Sequence, residues 1–156
     1  MDRSEFAAGR IREVFLNGKW IANTNYKEQL AQTSFETAIA VRSDLNSIAA
    51  LTFHINYYLR GLLDAFKTGT LTIRDKFSFD LPPISSEEEW RQLVDTLLHN
   101  AEAFAAEVAK MPDTQLDQPF IDEKYGSFLR NIEGVIEHSY YHLGQIVILR
   151  KMLQSK

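Results

Sequence analysis

The sequence predicts an all-α protein, a four-helix bundle with long connections, on three observations. Apolar residues recur at intervals of three and four over four long stretches. Residues that start and stop helices bracket those stretches. Strand-type alternation is confined to one short, weak segment, and no internal repeat is present. Each helix carries an apolar stripe that must be buried, and four stripes facing inward accomplish that economically.

The first helix is expected over residues 4–16, with Phe6, Ile11, Val14 and Phe15 on its apolar side and Asn17-Gly18 as its stop. Residues 19–44 read as a connection with broken helix, in which 24–32 and 35–41 can form short helical pieces. The second long helix is expected over residues 45–67, where Ile48, Thr52, Ile55, Leu59, Leu62 and Phe66 hold the helical period and Thr68-Gly69 ends it. Residues 71–81 contain Thr72-Ile73-Arg74 and Phe77-Ser78-Phe79, the weak alternating pattern, and Asp80-Leu81-Pro82-Pro83 is a loop.

Ser86 followed by Glu89 is a capping box. It opens a third helix whose buried stripe is Trp90, Leu93, Val94, Leu97, Ala101, Phe104 and Val108, closed by Met111-Pro112. A loop of mixed polarity runs to Gly126. Ser127 caps the fourth helix, which extends to about residue 153 with Phe128, Ile132, Val135, Ser139, His142, Ile146 and Leu149 as its stripe. Gly134 and Gly144 lie inside this helix at a cost of about 1 kcal/mol each relative to alanine, and close helix approach is the expected compensation. The whole chain, residues 1–156, reads as one domain.

Composition narrows the function. The chain is 45% hydrophobic and 24% charged, an ordinary globular balance. A formal charge of −4 argues against a general nucleic-acid binder. With no cysteine, disulfides, thiolate metal sites and a cysteine nucleophile are excluded, and a reducing cytoplasm is the fitting compartment. The N-terminus lacks a secretory-type apolar run, and no stretch approaches the roughly 18 uninterrupted apolar residues of a membrane span.

The histidines carry the functional signal. His138 and His142 are four apart on the fourth helix, so both rings lie on one face, one turn apart. His142 falls within the apolar stripe and His138 at its edge. His54 on the second helix shares a side with Leu51 and Tyr58. His99 lies about 180° from Trp90 and reads as solvated. Any one of the three inward histidines, taken alone, reads as a core residue satisfied by hydrogen bonds. Three neutral imidazoles converging in one bundle are different, because a bound cation satisfies a nitrogen of each at once. Three histidines also leave an open position, the pattern of catalytic rather than structural zinc.

Asn131 and Gln145 stand one heptad before and after His138, where each can orient the ring or touch a substrate. Tyr58, four residues after His54, can aim a hydroxyl at the same place. The His-Glu-x-x-His signature is absent, and no Glu stands three residues before a histidine, which excludes the zinc-protease and di-iron bundle motifs. No carboxylate general base is visible near the site. Chemistry there must rely on a metal lowering the pKa of a bound water or substrate thiol.

Taken together, the long first connection, His54 in Ala50-Leu51-Thr52-Phe53-His54, and His138-x-x-x-His142-x-Gly144-Gln145-Ile146 resemble the DinB-like superfamily, which includes bacterial thiol S-transferases dependent on bacillithiol or mycothiol. The resemblance implies an up-down-down-up bundle, a divalent metal on His54, His138 and His142 with zinc and nickel as the plausible occupants, a bacterial source and a homodimer. It implies either a metal-dependent enzyme acting on small molecules, with a low-molecular-weight thiol as cosubstrate, or a non-enzymatic metal-binding bundle acting through dimerisation or a protein partner. Residues 19–44 and 71–81 match no motif of the family, so they leave the substrate open.

Overall fold

Ser47, Ser86 and Ser127 each place a hydroxyl under the first turn of a long helix, and these three caps set the frame. The computed structural model describes residues 2–154. Its helices are α1 (Arg3–Arg12), α2 (Tyr26–Ala31), α3 (Phe35–Ile39), α4 (Ile48–Thr68), α5 (Glu87–Ala109), α6 (Asp113–Leu116) and α7 (Phe128–Gln154). Ser47 Oγ accepts from the Ala50 amide at 3.1 Å, which is why α4 starts at Ile48 and not at the apolar Leu45. Ser86 Oγ accepts from Glu89 N at 3.2 Å. The Glu89 carboxylate reaches back one residue further than a capping box requires, accepting from Ser85 N and Oγ.

Among the described residues the fold is an all-helical bundle without strands; one isolated bridge joins Pro119 and Ser127. The long helices α1, α4, α5 and α7 surround one core in which Ile11, Phe15, Ile55, Leu59, Trp90, Leu97, Phe104, Ile132 and Ile146 are buried. Leu51 shares a cavity with Ile148 and Leu149, while Leu62 shares one with Asn131, so α4 and α7 run antiparallel. At one end Phe66 meets Phe104, Phe120 and Phe128 with ring centres 5.3–5.4 Å apart, seating the loop before α7. Among the described residues no helix is long and apolar enough to cross a membrane.

The last turn of the first helix is widened to a π-helix, Glu13–Asn17, where a continuous α-helix was expected. It ends at Gly18, whose missing Cβ is required because the chain there passes against Glu13. The broken-helix reading of the next connection agrees with α2 and α3, which are capped by Asn25 and Ser34. This connection is tied inward. Tyr26 donates to the Ser139 carbonyl at 2.7 Å and Trp90 Nε1 to the Thr33 carbonyl at 2.8 Å.

The segment with weak strand alternation forms no strand. It is a strap with a single 3-10 turn, Asp75–Phe77, laid antiparallel along α4. Ile73 lies against Gly61, the Tyr57 hydroxyl bridges Arg74 N and O at 2.9 Å each, and Ser78 reaches His54. Leu71 and Ile73 are half-buried in it, and Ile73 packs against α4, not against a neighbouring strand. Gly61 is therefore the glycine of close approach, since a Cβ there would collide with Ile73. The expectation for Gly134 and Gly144 is overturned: a Cβ at either meets nothing within 4 Å.

Two substitutions separate these cases. Gly61→Ala should lower stability by about 1–3 kcal/mol through overpacking under the strap. Gly144→Ala should raise it by up to about 1 kcal/mol through helix propensity alone. Urea-denaturation midpoints check both, and a shift in the opposite direction at either position would contradict the assignment.

Candidate metal centre

The antiparallel pairing of α4 with α7 brings His54 level with the His138–His142 turn. His54 and His142 are each only 6% exposed, while His138 lies at the edge of the buried region. His54 Nε2 stands 3.2 Å from His138 Nε2, and His142 Nε2 stands 2.9 Å from the same atom. The three candidate ligand atoms all lie within 4.8 Å of one another. His99 is exposed on α5, outside this group.

The other ring nitrogens decide which lone pairs face inward. His54 Nδ1 donates to the Ser78 carbonyl at 3.2 Å, and His142 Nδ1 donates to Gln145 Oε1 at 2.6 Å. In the neutral rings Nε2 is then unprotonated on both residues. A hydrogen on His138 Nε2 can be directed well at only one of them. The cluster therefore presents more acceptor lone pairs than protons to satisfy them. Nitrogens bound tetrahedrally to a late divalent metal at about 2.0–2.1 Å lie roughly 3.3 Å apart, close to the 3.2 and 2.9 Å separations of His54 and His142 from His138. The three-histidine group can hold a divalent metal.

Electrostatics favours neutral, ligand-competent rings. Burial, followed by the neighbouring His142 and His54, lowers the His138 pKa from 6.5 to about 4. Burial also lowers His54 and His142, opposed at His54 by the Ser78 carbonyl and Asp75 and at His142 by Gln145.

The remaining sequence candidates are placed unequally. Gln145 contacts His142, whereas the heptad spacing related it to His138. Tyr58 packs its ring edge-on to His54 and His138, with centres 5.1 and 5.5 Å away, but its hydroxyl donates to Asp75 Oδ1 at 2.8 Å. Asn131 Nδ2 donates to the Tyr125 and Ser127 carbonyls, securing the entry to α7. Tyr58, Asn131 and His138 together line an open cavity of about 340 Å³, with Leu62, Tyr125, Arg130, Gly134 and Val135. A second cavity of about 220 Å³ lies behind Gln145, between Leu51 and Ile148.

The strap supplies what helical spacing could not reveal. Ser78 orients His54, Phe79 stacks on the same ring at 4.0 Å and 10°, and Asp75 brings a carboxylate to Tyr58. None of these belongs to a long helix. Their only sequence signal was the pair of aromatics at Phe77 and Phe79 within a polar stretch.

The sequence model of the DinB superfamily matches residues 22–146, a span that includes all three histidines. No curated protein and no solved structure matches the chain.

The lowered histidine pKa values set a pH dependence for the metal-free protein. An unfolded histidine takes up its proton near 6.5, whereas folded His138 does so only near 4. Between those values the unfolded chain binds more protons, so stability should fall as pH drops through the window. Because the ring is partly exposed and screened by solvent, the loss is on the order of 1 kcal/mol. Chelator-treated protein unfolded by urea across this range checks the sign, and His138→Ala should flatten the dependence.

Proposed function

The chain belongs to the DinB superfamily, and from that premise we propose that it is a divalent-metal-dependent enzyme acting on small molecules, with thiol S-transfer as the preferred chemistry. The observation that carries this reading is the convergence of three Nε2 atoms, with His138 in the wall of an open cavity. His54, His138 and His142 would hold the ion, zinc and nickel both suiting an all-nitrogen set. When bound, a divalent ion there supplies Lewis acidity, lowering the pKa of a coordinated water or thiol.

The chain's own groups divide the remaining work. The Ser78 carbonyl and Gln145 Oε1 hold Nδ1–H of His54 and His142, so that Nε2 of each stays available. Phe79 covers one face of His54, and Tyr58 walls the cavity beside His138. Tyr58 and Asn131 are the proposed substrate contacts, and Gln145 positions His142. In the transfer, the thiolate sulfur forms a bond to an electrophilic carbon of the second substrate. The leaving group departs with its electron pair, and the thiol proton passes to solvent. With a divalent ion held by the three histidines, such a step would need no strong protein base. Hydrolysis by the same centre is the variant in which water replaces the thiol.

The same reading takes the long helices as an up-down-down-up bundle, the protein as cytoplasmic and bacterial, and its assembly as a homodimer. Tyr141, Ile148 and Met152 are exposed along one side of α7, with Leu45 beside Ile148, and would be the surface for a second copy. That stripe also favours the second reading, a non-enzymatic metal-binding bundle that acts through dimerisation or a protein partner.

Single replacement of His54, His138 or His142 by alanine should reduce metal in the purified protein from stoichiometric to trace amounts, as measured by elemental analysis. Unchanged content in any variant removes that residue from the ligand set. Metal-loaded protein incubated with low-molecular-weight thiols and electrophiles should form thiol adducts that a chelator abolishes. No turnover across a broad panel would move the assignment to the second reading.

A further inference from the structure

The cavity beside His138 has an uneven lining. Tyr58, Leu62, Tyr125 and Val135 give it apolar and aromatic walls, and His138 stands at one end. Arg130 is the charged side chain among the described lining residues and stands at the other end, two helical turns before His138. Its stem runs over Gly126, where an added Cβ would meet Arg130 Cγ at 3.5 Å. Its side-chain hydrogen bond runs from Nη1 to Glu137 Oε2 at 3.1 Å, which leans the guanidinium forward along α7. Both members of that pair are about 60% exposed, so the contact is screened and readily exchanged for another carboxylate. The planar guanidinium fork carries five N–H donors and suits bidentate capture of a carboxylate.

Gly134 lies between Arg130 and His138 on the same cavity wall. A helix-interior glycine costs about 1 kcal/mol relative to alanine, and here no packing contact explains it, since a Cβ would meet nothing within 4 Å. The space a side chain would fill is the cavity itself. Asn131, one residue on from Arg130, uses its amide hydrogens on backbone carbonyls, which leaves Oδ1 to accept from a ligand donor.

We propose that this cavity takes a small organic carboxylate with an apolar body, that Arg130 recognises its anionic group, and that Gly134 keeps the floor between Arg130 and His138 clear. The proposal rests on reading the cavity as the small-molecule pocket of the centre, and adds the class of molecule it selects. Eight residues of helix separate Arg130 from His138, about 12 Å along the axis, and the forward lean of the guanidinium shortens that span. The ligand is therefore compact. Its carboxylate lies at the Arg130 end and its reacting atom at the His138 end, with the apolar body against Tyr58, Leu62 and Val135.

The test compares 3-phenylpropanoate with its neutral amide, 3-phenylpropanamide, by NMR titration of labelled protein in both metal-loaded and chelator-treated forms. The acid should bind about tenfold more tightly than the amide in both forms, with resonances at residues 130–138 shifting. Arg130→Gln should remove that preference without changing metal content. Glu137→Gln should strengthen acid binding by releasing the guanidinium, and Gly134→Val should weaken both ligands by filling the floor. Equal affinities for acid and amide, or no binding of the acid at millimolar concentrations, would overturn the proposal. So would a preference that survives Arg130→Gln and vanishes on chelation, since the carboxylate would then be a metal ligand; that outcome supports the metal reading while rejecting Arg130. A preference that depends on Arg130 in a protein that never retains metal would do the reverse.

Discussion

Two hydrogen bonds from Nδ1 atoms control the character of the histidine cluster. With His54 held to the Ser78 carbonyl and His142 to Gln145, both rings turn Nε2 inward toward His138. Were the His142 bond lost, that ring could carry its hydrogen on Nε2 and donate it to His138, easing the shortage of protons without a cation. Instead three nitrogens with too few protons stand in a partly buried setting that lowers the pKa of each. Burial both discourages protonation and concentrates the demand for a shared positive charge.

That arrangement depends on a segment with no regular structure. The strap between α4 and α5 lies along α4 because Gly61 admits Ile73, Tyr57 bridges Arg74, and Tyr58 binds Asp75. Only with these contacts in place does the Ser78 carbonyl arrive at His54 and the Phe79 ring on its face. The packing of the strap along α4 thus determines the tautomer of one histidine.

The helices and the histidines were legible for the same reason: a helix repeats its environment every three to four residues, so burial imprints a period on the residue types. The caps at Ser86 and Ser127, the broken connection at residues 19–44 and the outward placement of His99 all follow from short-range rules and agree with the structure. The start of α4 was misplaced by three residues because Leu45 continues the apolar pattern, while Ser47 supplies the cap. The course of the strap was not legible, because a weak alternation of apolar residues looks alike whether they face a sheet or a helix. Gly134 and Gly144 were misread because a glycine in a helix signals missing volume without saying whether protein or empty space lies opposite.

From its residues alone this chain determined that it is helical, where its long helices lie, and that two imidazoles share one face of the last of them. Those are consequences of geometry within a single element. That His54 joins them with Nε2 inward, that Gln145 serves His142 and not His138, and that Asp75, Ser78 and Phe79 border the site were decided only by tertiary structure. Each depends on the relative height of α4 and α7 and on the course of an irregular strap. No local period encodes those quantities, which are set by how side chains distant in sequence fill the space between helices.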